Sequence, residues 1–140
     1  MSNFSDMAAG LKTVLQNGIT GLRAFDYPPD SIDQFPAAVI MPESLDPRIA
    51  LTGNSFTAVY RVIFLFRKGD EGQGFTELYD FIDPTAANKS LIAAIRADPT
   101  LNAKADDAEI TRIEKIGRRE LWGGSYYGFD ALIEVVKSVA

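Results

Sequence analysis

Phe56-Thr57-Ala58-Val59-Tyr60-Arg61-Val62-Ile63-Phe64-Leu65-Phe66-Arg67 is the stretch on which the fold turns. Phe56, Tyr60, Val62, Phe64 and Phe66 share one parity, and Val59, Ile63 and Leu65 share the other. A β-strand sends successive side chains to opposite faces, so apolar residues on both parities in the second half predict a central strand with partners on both sides. Arg61 interrupts the run, and no apolar run in the chain approaches the roughly 20 residues that cross a bilayer as a helix. No membrane contact is expected.

Upstream of that strand, Phe4, Met7, Ala8, Leu11, Val14 and Leu15 recur at helical spacing, and Gly18 suits the position just past a helix end. Ile19 to Tyr27 reads as a strand that stops at Pro28-Pro29, because proline lacks an N–H and pushes its neighbour towards extended geometry. Ala37 to Met41, between Pro36 and Pro42, reads as a short buried strand, and residues 43–54 as a long loop with Pro47, Gly53 and Asn54.

Downstream, Gly69 to Gly74 reads as a loop. Phe75, Leu78, Tyr79 and Ile82 give a short helical pattern that Pro84 interrupts, and Leu91, Ile92 and Ile95 mark an amphipathic helix over about 86–97 that Asp98-Pro99 ends. Ala108 to Gly117 and Tyr127 to Val139 read as closing strands, joined by the turn-rich Trp122-Gly123-Gly124-Ser125. Helix, strands, helix, strands, without regular βαβ alternation, predicts an α+β fold: a mostly antiparallel sheet with two main helices packed on one face. At 140 residues the chain is expected to form one domain.

Composition narrows the chemistry. Hydrophobic residues make up 46% of the chain, enough for a core, which argues against disorder. There is no cysteine and no histidine. That excludes disulfides, thiolate chemistry, and the usual neutral-pH general base and transition-metal ligand. The net charge is −5, with a pI near 4.7, and the basic residues are scattered apart from Arg67-Lys68 and Arg118-Arg119. Tight binding to DNA or to an anionic membrane is therefore disfavoured. Met1-Ser2-Asn3-Phe4 has no positive or apolar segment of a secretory signal, and none is expected there.

Four local patterns resemble active-site motifs and fall short of them. Gly69-Asp70-Glu71-Gly72-Gln73-Gly74-Phe75-Thr76 is a phosphate-binding loop with Phe75 in place of the lysine, and its two acids would repel a triphosphate. Asp106, Asp107 and Glu109 lack the ligand number and glycine of a calcium loop and read as a solvated turn. Asp80 and Asp83 share a helix face as a surface acid pair. Ser125 has no histidine to activate it. No catalytic residue, cofactor or metal site is expected, and an enzymatic role is not.

Several structural phrases succeed one another along most of the chain. They are an N-terminal helix closing in a glycine, Gly21-Leu22-Arg23 to Pro29-Asp30, Pro36-Ala37-Ala38-Val39, Leu91 to Leu101, and Trp122-Gly123-Gly124 to Tyr127-Gly128 before the last strand. In this order and spacing the chain resembles the siphophage tail terminator family, small proteins that cap the finished tail tube. The resemblance implies an α/β domain that joins as a ring of six copies on the tube end. It implies that the ring stops tube polymerisation and offers its other face to the head–tail connector or stopper protein. Genome DNA would pass through the hole without specific binding, and the protein would sit at the neck-proximal end of the virion tail after assembly in the host cytoplasm. No cofactor is implied.

Related neck, head-closure and tail-completion proteins share the size and fold and stay open as alternatives, as does a tube or chaperone protein of the same virus. A small-ligand-binding or enzymatic α+β domain is the alternative from another class. A closed ring needs one surface to complement a different surface on the neighbour. The loops 43–54 and 67–75 are candidates to reach a partner, with Arg48, Arg67 and Lys68 on them. Trp122, Tyr126 and Tyr127 combine area with a polar atom, as interface anchors do, although packing at a hairpin would use the same residues.

Overall fold

A computed structural model describes residues 3–46, 55–67, 73–86, 89–121 and 124–138. Among them are three helices, α1 (Asn3–Gly18), α2 (Gln73–Ile82) and α3 (Leu91–Ala97), and strands β1 (Arg23–Phe25), β2 (Ala37–Asp46), β3 (Ser55–Phe66), β4 (Asp107–Leu121) and β5 (Gly124–Ser138). The strands form one sheet in the order β1-β2-β3-β5-β4, parallel only between β1 and β2. The fold is α+β, with a mostly antiparallel sheet.

Strand β3 is central, and its two parities face two apolar layers. Ala58, Tyr60, Val62, Phe64 and Phe66 point into the main core with Met7, Leu11 and Leu15 of α1, Leu78 and Phe81 of α2, and Leu91 and Ile95 of α3. All three helices therefore lie on one face of the sheet. Phe64, Phe66, Phe81 and Phe129 form a box of rings, stacked at 4.8 Å between Phe64 and Phe129 and edge-on at 4.8 Å between Phe66 and Phe81. Such pairs add about 0.5–1.5 kcal/mol beyond the area they bury. Ile63 and Leu65 point the other way, onto Ile32, Ala37, Val39 and Tyr126, with Phe25 and Phe35 at the margin.

Several expected boundaries move. The strand read from Ile19 to Tyr27 is only Arg23–Phe25, because residues 19–21 turn after α1, with Gly21 at φ +83. Gly18 is the last helical residue and not a left-handed cap. A Cβ there would sit 2.6 Å from Ala94 Cβ, so its smallness is what lets α1 and α3 cross closely. Strand β2 continues through Pro42 to Asp46, past the predicted loop start, by means of a bulge between Pro42 and Ser44. The bulge accommodates the residue that cannot donate to a ladder.

Helix α3 begins later than the pattern suggested. The Ser90 Oγ accepts the Ala93 N–H at 3.1 Å, a side-chain cap that fixes the start at Leu91. Its end falls at Ala97, where Asp98 leaves the helical region at φ −146 and ψ 75 before Pro99, in keeping with proline's exclusion of helical geometry from the preceding residue. The closing strands pair with each other over twelve residue pairs and are longer than read, reaching Leu121 and starting at Gly124.

Candidate functional site

The face of the sheet away from the helices divides into an apolar end and a charged middle. At the apolar end, Tyr126 is 8% exposed and packs on Phe35 with centroids 5.5 Å apart. The Arg67 guanidinium lies 5.9 Å from the Phe35 ring, so Arg67, exposed at the end of β3, roofs this patch. Adjacent residues on a strand face opposite ways, and Tyr127 accordingly packs against the main core. Of the residues expected at an interface, Arg67 and Tyr126 come together, Tyr127 is on the other face, and Tyr126 serves the core. Arg48, Lys68 and Trp122 lie outside the described residues, as do loop residues 47–54 and 68–72.

In the middle of that face, three arginines and three carboxylates interlock. Arg61 Nη1 donates to Asp130 Oδ2 at 2.7 Å and to Glu114 Oε2 at 3.0 Å, and its Nε donates to Glu43. Arg119 Nη1 donates to the other Asp130 oxygen at 2.5 Å, and Arg112 Nε pairs with Glu114 at 3.0 Å. Register places them: Arg61 is opposite Met41 and Leu132, while Asp130 is opposite Ile63 and Glu114. Asp130 is only 1% exposed, so its charge is held by guanidinium donors rather than by water. The hydrogen bond to Glu43 foremost, opposed by burial and supported by Asp130 and Glu114, raises the Arg61 pKa above its already high value.

Sequence reading passed over this lattice. Arg61 registered only as a break in an apolar run, and Asp130 did not register. The signal was there: each is an isolated charge in an otherwise apolar stretch of strand, and such charges are almost never buried unless paired.

The remaining acidic patterns stay apart from it. Asp107 and Glu109 are exposed on β4. Asp83 closes a turn, accepting from the Thr85 hydroxyl at 2.7 Å and N–H at 2.9 Å, and these bonds, the hydroxyl's first, lower its pKa. Ser125 Oγ accepts from Arg118 Nε at 3.3 Å. Among the described residues no three acidic side chains converge to hold a metal ion.

An open groove lies elsewhere, on the helix side of the β2 edge. It has about 270 Å³ of space and is lined by Phe4, Pro42, Ser44, Leu45, Ala58 and Tyr60 among others. The Tyr60 hydroxyl donates to the Phe4 carbonyl at 2.8 Å, and burial pushes its pKa up to about 12. A lattice whose charges are mutually satisfied can fix a sheet face rigidly, whereas an apolar groove beside an open edge can receive another chain. No protein-family model matches this chain, and no curated protein matches it in sequence.

Proposed function

We propose that this chain is the tail terminator of a long-tailed phage or prophage. In that role it is a structural protein without catalysis, forming a ring, of six copies in the family it resembles, on the end of the tail tube. The observation that carries the proposal is the succession of structural phrases from Gly21 to Gly128, in the terminator order, within one α+β chain that has neither histidine nor cysteine. The sheet gives these phrases physical sense. Gly21 makes the left-handed turn into β1, Pro36 leads into β2, and Leu91 to Leu101 is a capped helix with its turn.

In this role the partners are further copies of the chain, the major tail tube protein, and the connector or stopper on the head side. DNA passes through the opening without specific contacts. Tube ends present a repeating array of identical surfaces, which a ring engages at many points at once, so individually weak contacts become collectively tight.

The test is polymerisation of the cognate tube protein with and without this chain, read by electron microscopy. Tubes of limited length with extra density at one end are expected. Unlimited tubes with bare ends, from folded protein, would discard the terminator role and favour a neck or tail-completion role.

A further inference from the structure

We propose that the Gln16 side chain closes the β1 edge of the sheet against strand addition, a contact the chain makes with itself in place of a neighbouring strand. The Arg23 N–H donates to the Pro36 carbonyl at 3.0 Å, which turns Arg23 towards β2. N–H groups alternate sides along a strand, so Ala24 directs its N–H outward, away from the sheet. Among the described residues no strand pairs with that side of β1. There the Gln16 Oε1 accepts the Ala24 N–H at 3.0 Å, in the place where the carbonyl of an added strand would accept it. Arg23 and Phe25 both turn towards β2, so Ala24 is the one outward donor among the three residues of β1.

Local geometry brings the two residues together. Gln16 is in the last turn of α1, and only residues 19–22 separate that helix from β1. The Ile19 N–H donates to the Leu15 carbonyl at 3.0 Å, and Gly21 at φ +83 then reverses the chain. Ala24 is fully buried in the main core, so packing fixes where its N–H points. Gln16 is exposed, and its contact is undone by rotating one side chain.

Elsewhere the open sides of the sheet are spoiled in the backbone itself. On β4, the opposite edge, register with β5 breaks between Glu114 and Gly117. Lys115 adopts φ 56 and Gly117 φ 137 there, and Ile116 between them is turned out, 50% exposed. Exposed charges at Glu109, Arg112, Lys115 and Glu120 line the same strand. On β2 beyond Val39, where pairing with β1 stops, Pro42 has no N–H and a bulge separates it from Ser44. Bulges, proline and charge are devices that keep an edge from pairing with another chain. Strand β1 has neither bulge nor proline: residues 23–25 pair with β2 in unbroken register. Its one charge, Arg23, is folded onto the Phe25 ring, 5.1 Å from the centroid. Gln16 supplies what the β1 backbone lacks, and this closure is independent of the terminator role.

Gln16→Met keeps the length and helix preference of the side chain but removes the acceptor, whereas Gln16→Glu keeps an acceptor oxygen in the same place. Both variants of the full chain, once native by circular dichroism, are compared with wild type by amide hydrogen exchange and by sedimentation at rising concentration. At low concentration the Ala24 N–H of Gln16→Met should exchange about tenfold faster than in wild type, and that of Gln16→Glu at nearly the wild-type rate. At high concentration Gln16→Met should form larger species that wild type lacks, with protection returning at residues 23–25. Gln16→Ala, a second variant without the acceptor, should behave as Gln16→Met does. The closure is overturned if Ala24 exchange is unchanged, or if the acceptor-free variants form nothing larger than wild type. It is equally overturned by new protection outside residues 23–25, or by a Gln16→Glu that associates as Gln16→Met does.

Discussion

Arg61 Nη1 meets Asp130 Oδ2 at 2.7 Å across β3 and β5, and this bond ties the centre of the sheet to the β4–β5 hairpin from the face opposite the helices. Asp130 is 1% exposed and Arg61 20%, so the pair lies between a surface ion pair and a buried one. Removing one partner from such a pair leaves the other desolvated and unanswered, which costs more than the intact pair contributes.

Asp130→Ala should therefore destabilise the fold by about 3 kcal/mol, because Arg119 and Arg61 both lose their shared anion. Arg118→Ala, which breaks an exposed 3.9 Å pair with Glu120, should cost under about 0.5 kcal/mol. Urea unfolding of the two variants checks this. Equal midpoint shifts would show the lattice to be no stronger than a surface pair.

Alkaline stability should depend on Tyr60. Its folded pKa is about 12 against 10.0 for the free phenol, so the folded state retains a proton that the unfolded state releases. The contribution is full below pH 10, falls as pH rises through 10 to 12, and is gone above that range. Tyr60→Phe should cost about 1 kcal/mol at neutral pH through the lost bond to the Phe4 carbonyl, and should flatten the loss of stability between pH 10 and 12. An unchanged pH profile in the variant would exclude Tyr60 as the group responsible.

At the α1–α3 crossing, Gly18→Ala should destabilise by about 1–3 kcal/mol even though alanine favours helix, because the new Cβ meets Ala94 Cβ at 2.6 Å. Adding Ala94→Gly should recover part of that loss. A double-mutant cycle by thermal or urea unfolding measures the coupling, expected at about 1 kcal/mol or more. Additive effects would mean that the helices move apart freely.

Duplex DNA should bind weakly at physiological salt. The net charge is −5, with 19 acidic residues against 14 basic ones, and Arg61, Arg112 and Arg119 already face carboxylates, so they do not form a free basic face against a phosphate backbone. Submicromolar gel-shift affinity at about 150 mM salt would contradict the proposal that DNA passes without specific contacts.

Periodicity along the chain determined the element types and the core. The two apolar parities of Phe56–Phe66 required a central strand covered on both faces, and that strand lies between β2 and β5 with an apolar layer on each side. Local steric rules carried at Pro99, where α3 ends at Ala97, whereas β1 already ends at Phe25, short of Pro28. What sequence spacing could not reveal were effects that depend on a distant partner. Gly18 looks like a cap until Ala94 is placed against it, and Ile116 looks like an ordinary strand residue until the Lys115 bulge turns it outward. Asp130 and Arg61 are 69 residues apart and become a pair only when register sets their strands side by side. Hydrophobic periodicity is a local property of one element, whereas close approach, register and charge pairing belong to two elements at once, and only the tertiary structure brings those together.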